Sequence, residues 1–143
     1  MDGWLLGKEA FIELLSGKVD PAVKGVIEWA KERGEDSLYV SEITWAVVRS
    51  NAESSSGLKR QSWLDLLDHE VPRQFGTRLL PVDHALLEIW SRIANEPVGE
   101  AKKPARIDES MEVATAVQYS LTYVVRESAL AAKVRCPTES PWS

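Results

Sequence analysis

Short apolar runs alternate along the chain with longer segments in which apolar residues recur three or four positions apart. The short runs are predicted strands, at residues 4–6, 38–40, 78–82 and 121–125. The longer segments have the period of amphipathic helices that pack against a core. Strands that alternate with helices favour a parallel sheet with helices on both faces. The pattern therefore predicts an α/β fold, a three-layer α/β/α sandwich around a mainly parallel central sheet.

Capping and helix-breaking residues divide the helical segments. Ser41 and Asp83 are predicted N-caps, because their side-chain oxygens can accept hydrogen bonds from free backbone N–H groups. Asp20 followed by Pro21 is a third predicted helix start. Pro72 is predicted to end the helix that begins near residue 59, since proline has no backbone N–H. The other predicted breaks are residues 16–17, the Ser-rich loop 51–57, the loop 97–104 and a short Pro-rich tail.

Length and charge narrow the choice of function. The chain has 143 residues, which favours a single domain over residues 1–143, and a formal net charge of -5. An acidic chain has no general attraction to nucleic acid. Contact with RNA would therefore need a local basic patch, for which Lys102, Lys103 and Arg106 are the candidates, although a solvated loop is the simpler interpretation of these residues.

Several common kinds of site and segment are missing from the sequence. The single cysteine, Cys136, excludes an intrachain disulfide, and the two histidines show no metal-ligand spacing. There is no phosphate-binding loop and no Gly-x-Ser-x-Gly elbow. No apolar segment approaches the length of a membrane-spanning helix, and the first residues lack a signal-peptide pattern. A cytoplasmic protein without a membrane partner is therefore expected.

Several local sequences, in the same order along the chain, resemble the PIN domains of VapC-like toxins. The matching segments are LLGKE at residues 5–9, SEITWAV at 41–47, FGTRLLPVD at 75–83, LTYVVR at 121–126 and SPW at 140–142. The predicted helix 108–119 resembles the acidic-led helix of the same family. The resemblance covers nearly the whole chain. It implies a PIN-like fold, a VapBC-type toxin–antitoxin or plasmid-stability lineage, an antitoxin-like protein partner and a homodimer.

The nucleases of this family resemble one another in holding Mg²⁺ or Mn²⁺ with three or four carboxylates. These hard cations need oxygen ligands, and the metal activates water and stabilises the leaving oxygen in phosphodiester hydrolysis. The resemblance places the first-strand aspartate on Gly7 and the second acid on Val47, neither of which can bind metal. It places the other two acids on Glu109, with Asp108 beside it, and on Glu127. Two ligand positions are therefore filled and two are empty.

Three hypotheses fit this pattern. In the first, the nuclease site is largely lost, no cofactor is expected, and the protein acts by binding a protein partner or RNA. In the second, the chain is an active Mg²⁺- or Mn²⁺-dependent endoribonuclease toxin that keeps the two remaining acids as catalytic residues and recruits Glu9, Glu42 or Asp108. In the third, it is a different α/β protein. Glu9 should begin a helix, and Glu42 lies more than one helical turn before Val47, so the sequence favours the first hypothesis.

Lys8 directly follows the empty ligand position at Gly7. Its ammonium group could fill part of the space of a metal ion and pair with Glu109 or Glu127, so that a salt bridge replaces the cation. A solvated surface lysine is the alternative, because most lysines are exposed.

Six tryptophans are many for this length. Core packing is the simplest explanation for them. In the resembled family, however, the helices after the first and second strands help to form homodimers and a groove for an antitoxin helix. Trp45, Val48 and Trp63 are therefore interface candidates, since interfaces favour large apolar side chains.

Overall fold

The computed structural model describes residues 3–19 and 25–142, and its centre is a five-stranded sheet. The strands are β1 (Trp4–Leu6), β2 (Leu38–Ser41), β3 (Leu79–Leu80), β4 (Thr122–Val124) and β5 (Thr138–Glu139). Their order in the sheet is β3-β2-β1-β4-β5, and every pairing is parallel. The predicted α/β class and parallel sheet are confirmed.

Helices connect the strands and cover the sheet. They are α1 (Lys8–Val19), α2 (Gly25–Arg33), α3 (Glu42–Glu53), α4 (Gly57–Asp65), α5 (Val71–Phe75), α6 (His84–Ile93), α7 (Ile107–Tyr119) and α8 (Ala129–Lys133). Two short 3₁₀ turns lie at Glu35–Ser37 and Gly76–Arg78, and a π-helical turn lies at Leu66–Glu70. None of the helices in the described part of the chain is both long and apolar enough to cross a membrane.

Neighbouring residues of β1 belong to two different cores. Leu6 packs in a cluster with residues of α1, α2 and α3, whereas Leu5 packs in a cluster with residues of α7 and α8. Both leucines are fully buried. Successive side chains of a strand point to opposite faces, so helices on both faces bury both residues. The three-layer arrangement therefore explains why the strands are continuous apolar runs rather than alternating ones.

The predicted caps are present, but several predicted boundaries are wrong. The Ser41 hydroxyl accepts a hydrogen bond from Ile43 N, and Asp83 Oδ1 accepts one from Leu86 N. Helix α1 continues through residues 16–17, α3 continues into the predicted loop 51–57, and β3 is shorter than predicted. Helix α8 and strand β5 were not predicted. The predicted helix start at Asp20 and Pro21 lies outside the described residues.

Pro72 does not end a helix, contrary to the prediction. A π-helical turn precedes it, in which Val71 N donates to Leu66 O rather than to the carbonyl four residues back. In that register residue 72 would be the donor to Leu67 O, and proline has no N–H to give. The indole Nε1 of Trp45 donates to Leu67 O instead, at 2.7 Å. A side chain from α3 thus satisfies the carbonyl that Pro72 leaves without a donor.

We expect Trp45→Phe to lower the free energy of unfolding by about 1 kcal/mol beyond the loss of ring area, because Leu67 O would lose its donor. Urea denaturation of the purified protein measures this difference. Trp63→Phe is the matched control, since Trp63 also packs half-buried against the first core and its indole donates no hydrogen bond within the described residues. Equal losses in the two variants would contradict this role for Trp45.

Candidate functional site

A pocket of about 370 Å³ lies at the carboxyl ends of β1 and β4, beside the start of α7. In open parallel sheets ligands bind beyond these strand ends. The charged residues of its lining, with the glycine at a ligand position of the resembled family, are Gly7, Lys8, Glu9, Arg106, Glu109, Glu112, Arg126 and Glu127. The pocket therefore contains both cationic and anionic side chains.

An ion pair joins α1 to α7 at this pocket. Lys8 Nζ lies 3.0 Å from Asp108 Oδ2, and Arg106 Nε lies 3.2 Å from the other carboxylate oxygen. Partial burial opposes ionisation of Asp108, but the hydrogen bonds from Lys8 and Arg106 outweigh it and lower its pKa. Lys8 was expected to pair with Glu109 or Glu127, and its partner is Asp108 instead. This carboxylate is already shared between two cationic side chains.

A buried carboxyl group forms the floor of the pocket. Glu112 is only 3% exposed. The Tyr123 hydroxyl lies 2.5 Å from its Oε1, and the Thr44 hydroxyl lies 2.6 Å from its Oε2. Burial raises the pKa of Glu112 to about 7, although both hydroxyls and the charge of Lys8 act in the opposite direction and Asp108 adds to the rise. Burial and the neighbouring Glu112 also raise the pKa of Tyr123.

Sequence reasoning missed the cluster of Glu112, Thr44 and Tyr123. One signal was present, because Glu112 interrupts the apolar stretch of α7 between Met111 and Val113. A charged residue on the inward face of a helix is rarely buried unless its oxygens have hydrogen-bond partners. The sequence could have marked Glu112 as unusual, but it could not have named partners on α3 and β4.

At Gly7, directly after β1, the neighbouring strand β4 lies too close to leave room for a side chain. Gly7 N donates to Val124 O at 2.9 Å, as a continuation of the pairing between β1 and β4. A Cβ at this position would lie 2.7 Å from the same oxygen and 3.2 Å from Cε1 of Tyr123. The backbone oxygen cannot move without disturbing the sheet. An aspartate therefore does not fit at residue 7 in this packing.

The acids expected at the other ligand positions both line this pocket, but they have different partners. Glu109 Oε2 accepts a hydrogen bond from the Ser128 hydroxyl at 2.8 Å, and Glu127 lies exposed on the wall of the pocket. Glu9 also lines this pocket and pairs there with Arg126 at 2.7 Å, whereas Glu42 is exposed beside a different pocket. The empty position at Val47 carries a half-buried apolar side chain.

These donors do not fit a Mg²⁺ or Mn²⁺ ion. Gly7 and Val47, two of the four positions that the resemblance assigns to carboxylates, have no side-chain oxygen. Asp108 is held by two cations, and Glu112 is engaged by two hydroxyls. Within residues 3–19 and 25–142, no three side chains of the acidic, histidine or cysteine type are grouped closely enough to hold a metal. We therefore derive no chemical step through a bound metal.

The three interface candidates have different environments. Val48 is 3% exposed and belongs to the core of the single chain, so it is not a surface residue. Trp45 is half-buried and hydrogen-bonded to Leu67 O within the chain. Trp63 is half-buried and lines a second pocket of about 220 Å³ together with Ile12 of α1. Val48 lines the same groove from its buried side, and Trp45 lines a separate pocket.

The stability of the protein should depend on pH through Glu112. Its pKa of about 7 in the folded protein exceeds the ordinary 4.5, so the folded state holds the extra proton between these values. The stabilisation from this group is complete below about pH 4.5 and is lost as the pH rises through about 7. Urea denaturation at about pH 5 and about pH 8 should therefore show a lower free energy of unfolding at the higher pH.

Glu112→Gln mimics the protonated carboxyl and should remove most of this dependence. Glu109→Gln is the matched control, because it makes the same change one turn earlier on α7 without touching the buried cluster. The pH dependence of stability does not come from Glu112 if Glu112→Gln keeps the pH dependence of the original protein, or if Glu109→Gln also abolishes it.

Comparison with solved structures identifies the fold. A chain in the crystal structure of FitAcB from Neisseria gonorrhoeae matches with a TM-score of 0.80 at 23% sequence identity, over 97% of this chain and 98% of that chain. A chain of DNA-bound VapBC from Salmonella typhimurium matches with a TM-score of 0.71 at 18% identity, over 99% of both chains. A chain of VapBC-5 from Mycobacterium tuberculosis, from the VapBC family of toxin-antitoxin systems, matches with a TM-score of 0.52 at 21% identity, over 72% of this chain and 79% of that chain.

No protein-family model matches the sequence, and no curated protein is similar to it in sequence. These three structural matches are below 25% identity, so they establish the arrangement of helices and strands and not the chemistry of the site. The resemblance found in the sequence is confirmed at that level: this chain has the PIN-like fold of the chains in the FitAB and VapBC structures.

Proposed function

We propose that this chain is a PIN-like toxin–antitoxin or plasmid-stability protein that has lost its metal-dependent nuclease site and acts by binding an antitoxin-like protein. The fold supports the lineage, because its structural neighbours are chains of FitAcB and of VapBC. The ion pair between Lys8 and Asp108 and the packing around Gly7 support the loss of nuclease activity. A cytoplasmic location and a homodimer remain predictions of the resemblance.

The ion pair between Lys8 and Asp108 is the observation that carries this proposal. The Lys8 ammonium lies beside the position from which the family's first-strand carboxylate would reach a metal, and it neutralises the acid that a relocated site would need most. A divalent cation at this place would be repelled by Lys8 and Arg106 and would have to break both of their contacts with Asp108.

The packing of Gly7 makes this loss difficult to reverse. Restoring an aspartate would place its Cβ against the backbone oxygen of Val124, next to the buried carboxyl of Glu112. Overpacking of this kind costs about 1–3 kcal/mol in well-packed interiors. The side chains of Glu112 and Tyr123 pack beneath Gly7, and together with the glycine they fill the floor of the pocket without a metal.

A groove beside the pocket supports a protein partner. Helices α1, α3 and α4 line it with Ile12, Ala52 and Trp63, and Lys59 lies at its margin. Ile12 also lines the pocket at the strand ends, so the apolar groove and the charged pocket are neighbours. An amphipathic helix could place apolar side chains in the groove and polar ones at the pocket.

We expect the purified protein to cleave RNA no faster with Mn²⁺ or Mg²⁺ than with EDTA, because the donor set does not hold the ion. A mixed-sequence RNA with gel readout measures this, and circular dichroism confirms that the protein is folded. Metal-dependent cleavage that disappears in Glu109→Gln would contradict the loss of the nuclease site and support the relocated-ligand alternative.

The partner is tested separately by co-purification with a candidate antitoxin-like protein expressed together with this chain. Ile12→Arg should abolish co-purification, because it places a charge where the groove and the pocket meet. Leu58→Arg is the matched control, since Leu58 is 83% exposed on α4 and outside the groove. Equal effects of the two substitutions would show that the groove does not bind this partner.

A further inference from the structure

A further pocket, of about 250 Å³, lies at the amino ends of β2 and β3, whereas the candidate functional site lies at the carboxyl ends of β1 and β4. Its lining includes Leu38, the first residue of β2, and Arg78, which directly precedes β3. Leu15, Ala30 and Phe75 complete an apolar floor, and each of these three residues is less than one tenth exposed. The pocket therefore reaches the main hydrophobic core from the surface.

A cation is fixed at the edge of this apolar pocket. The Arg78 guanidinium donates at 2.6 Å to three backbone carbonyls, those of Glu35, Leu38 and Gln74, and it lies 5.2 Å from the centre of the Phe75 ring. These partners hold the group in place but carry no formal charge. No carboxylate in the described part of the chain forms an ion pair with Arg78.

The charges around the opening favour an anion. Among the described residues of the lining, Lys31 and Arg78 contribute two positive charges and Glu35 contributes one negative charge. The Glu35 contact with Arg78 uses the backbone carbonyl and not the carboxylate. A net positive opening is notable on a chain whose formal charge is -5. The three carbonyls use three of the five guanidinium N–H donors, which leaves two donors on a rigidly held cation for a carboxylate.

From this combination we infer that the pocket binds a small amphipathic carboxylate, with its apolar part on the floor and its carboxylate beside Arg78 and Lys31. The size of the pocket limits the ligand. A volume of about 250 Å³ corresponds to roughly eight water molecules at about 30 Å³ each. A medium-chain fatty acid or an aryl carboxylate of comparable size would fill it. This site is independent of the proposed loss of nuclease activity.

Octanoate is the probe, and octan-1-ol, of the same chain length but without charge, is the comparison ligand. Titration followed by amide chemical shifts should show saturable binding of octanoate, with the largest changes at Ala30, Leu38 and Phe75. Octanoate should bind about fivefold more tightly than octan-1-ol, as expected for one or two partly exposed charge contacts. Changes confined to Gly7 and its neighbours would overturn the inference, because they would place the ligand in the other pocket.

Substitutions at two exposed positions test the charge requirement without touching Arg78, whose loss could impair folding. Lys31→Gln combined with Gln74→Glu should weaken octanoate about fivefold and leave octan-1-ol unchanged. Lys59→Gln combined with Gln61→Glu, on α4 outside the pocket, makes the same change in net charge and should alter neither ligand. The inference fails if octanoate does not bind, if both ligands bind equally, or if the two double variants have the same effect.

Discussion

The buried carboxyl of Glu112 is the constraint on which the arrangement of the strand ends depends. Glu112 projects from α7, and its two carboxyl oxygens accept hydrogen bonds from the hydroxyls of Thr44 on α3 and Tyr123 on β4. A carboxyl group this deeply buried is costly to ionise, so burial raises its pKa to about 7. It also occupies the space beneath Gly7, where the backbone of β1 approaches β4 too closely for any side chain. The floor of the pocket is thus a neutral or weakly acidic hydrogen-bonded cluster.

Several charges above this floor are paired within the chain, whereas Glu109 and Glu127 have no ion-pair partner among the described residues. Lys8 and Arg106 share Asp108, Arg126 pairs with Glu9, and Trp142 stacks on the same Arg126 guanidinium at 4.2 Å. Strong negative potential in such a pocket would attract a divalent cation, but internal cations cancel much of it. In the proposed function, the same PIN-like backbone therefore uses this surface to bind a protein partner rather than a metal ion. Fold and chemistry are separable here because the metal depends on a few side chains.

Several tertiary features could not have been read from local sequence. Pro72 lacks a backbone N–H wherever it occurs. The chain nevertheless remains helical around it, because a π-helical turn precedes it and the indole of Trp45 donates to the carbonyl left without a donor. Strand β5 is only two residues long, and its pairing with β4 makes it a strand. Glu139 in that strand accepts hydrogen bonds from Trp4, Trp29 and Arg33, which are distant in sequence. Contacts of this range have no local signature.

The sequence by itself determined the α/β class, the first two strands, the caps at Ser41 and Asp83 and the absence of acids at residues 7 and 47. These features depend on local periodicity, on capping chemistry and on the identity of single residues, all of which are present in the chain before it folds. Only the tertiary structure decided that Lys8 pairs with Asp108 and that Glu112 is buried beneath Gly7. The reason is physical: pairing and burial depend on distances between elements that are far apart in sequence, and folding sets those distances.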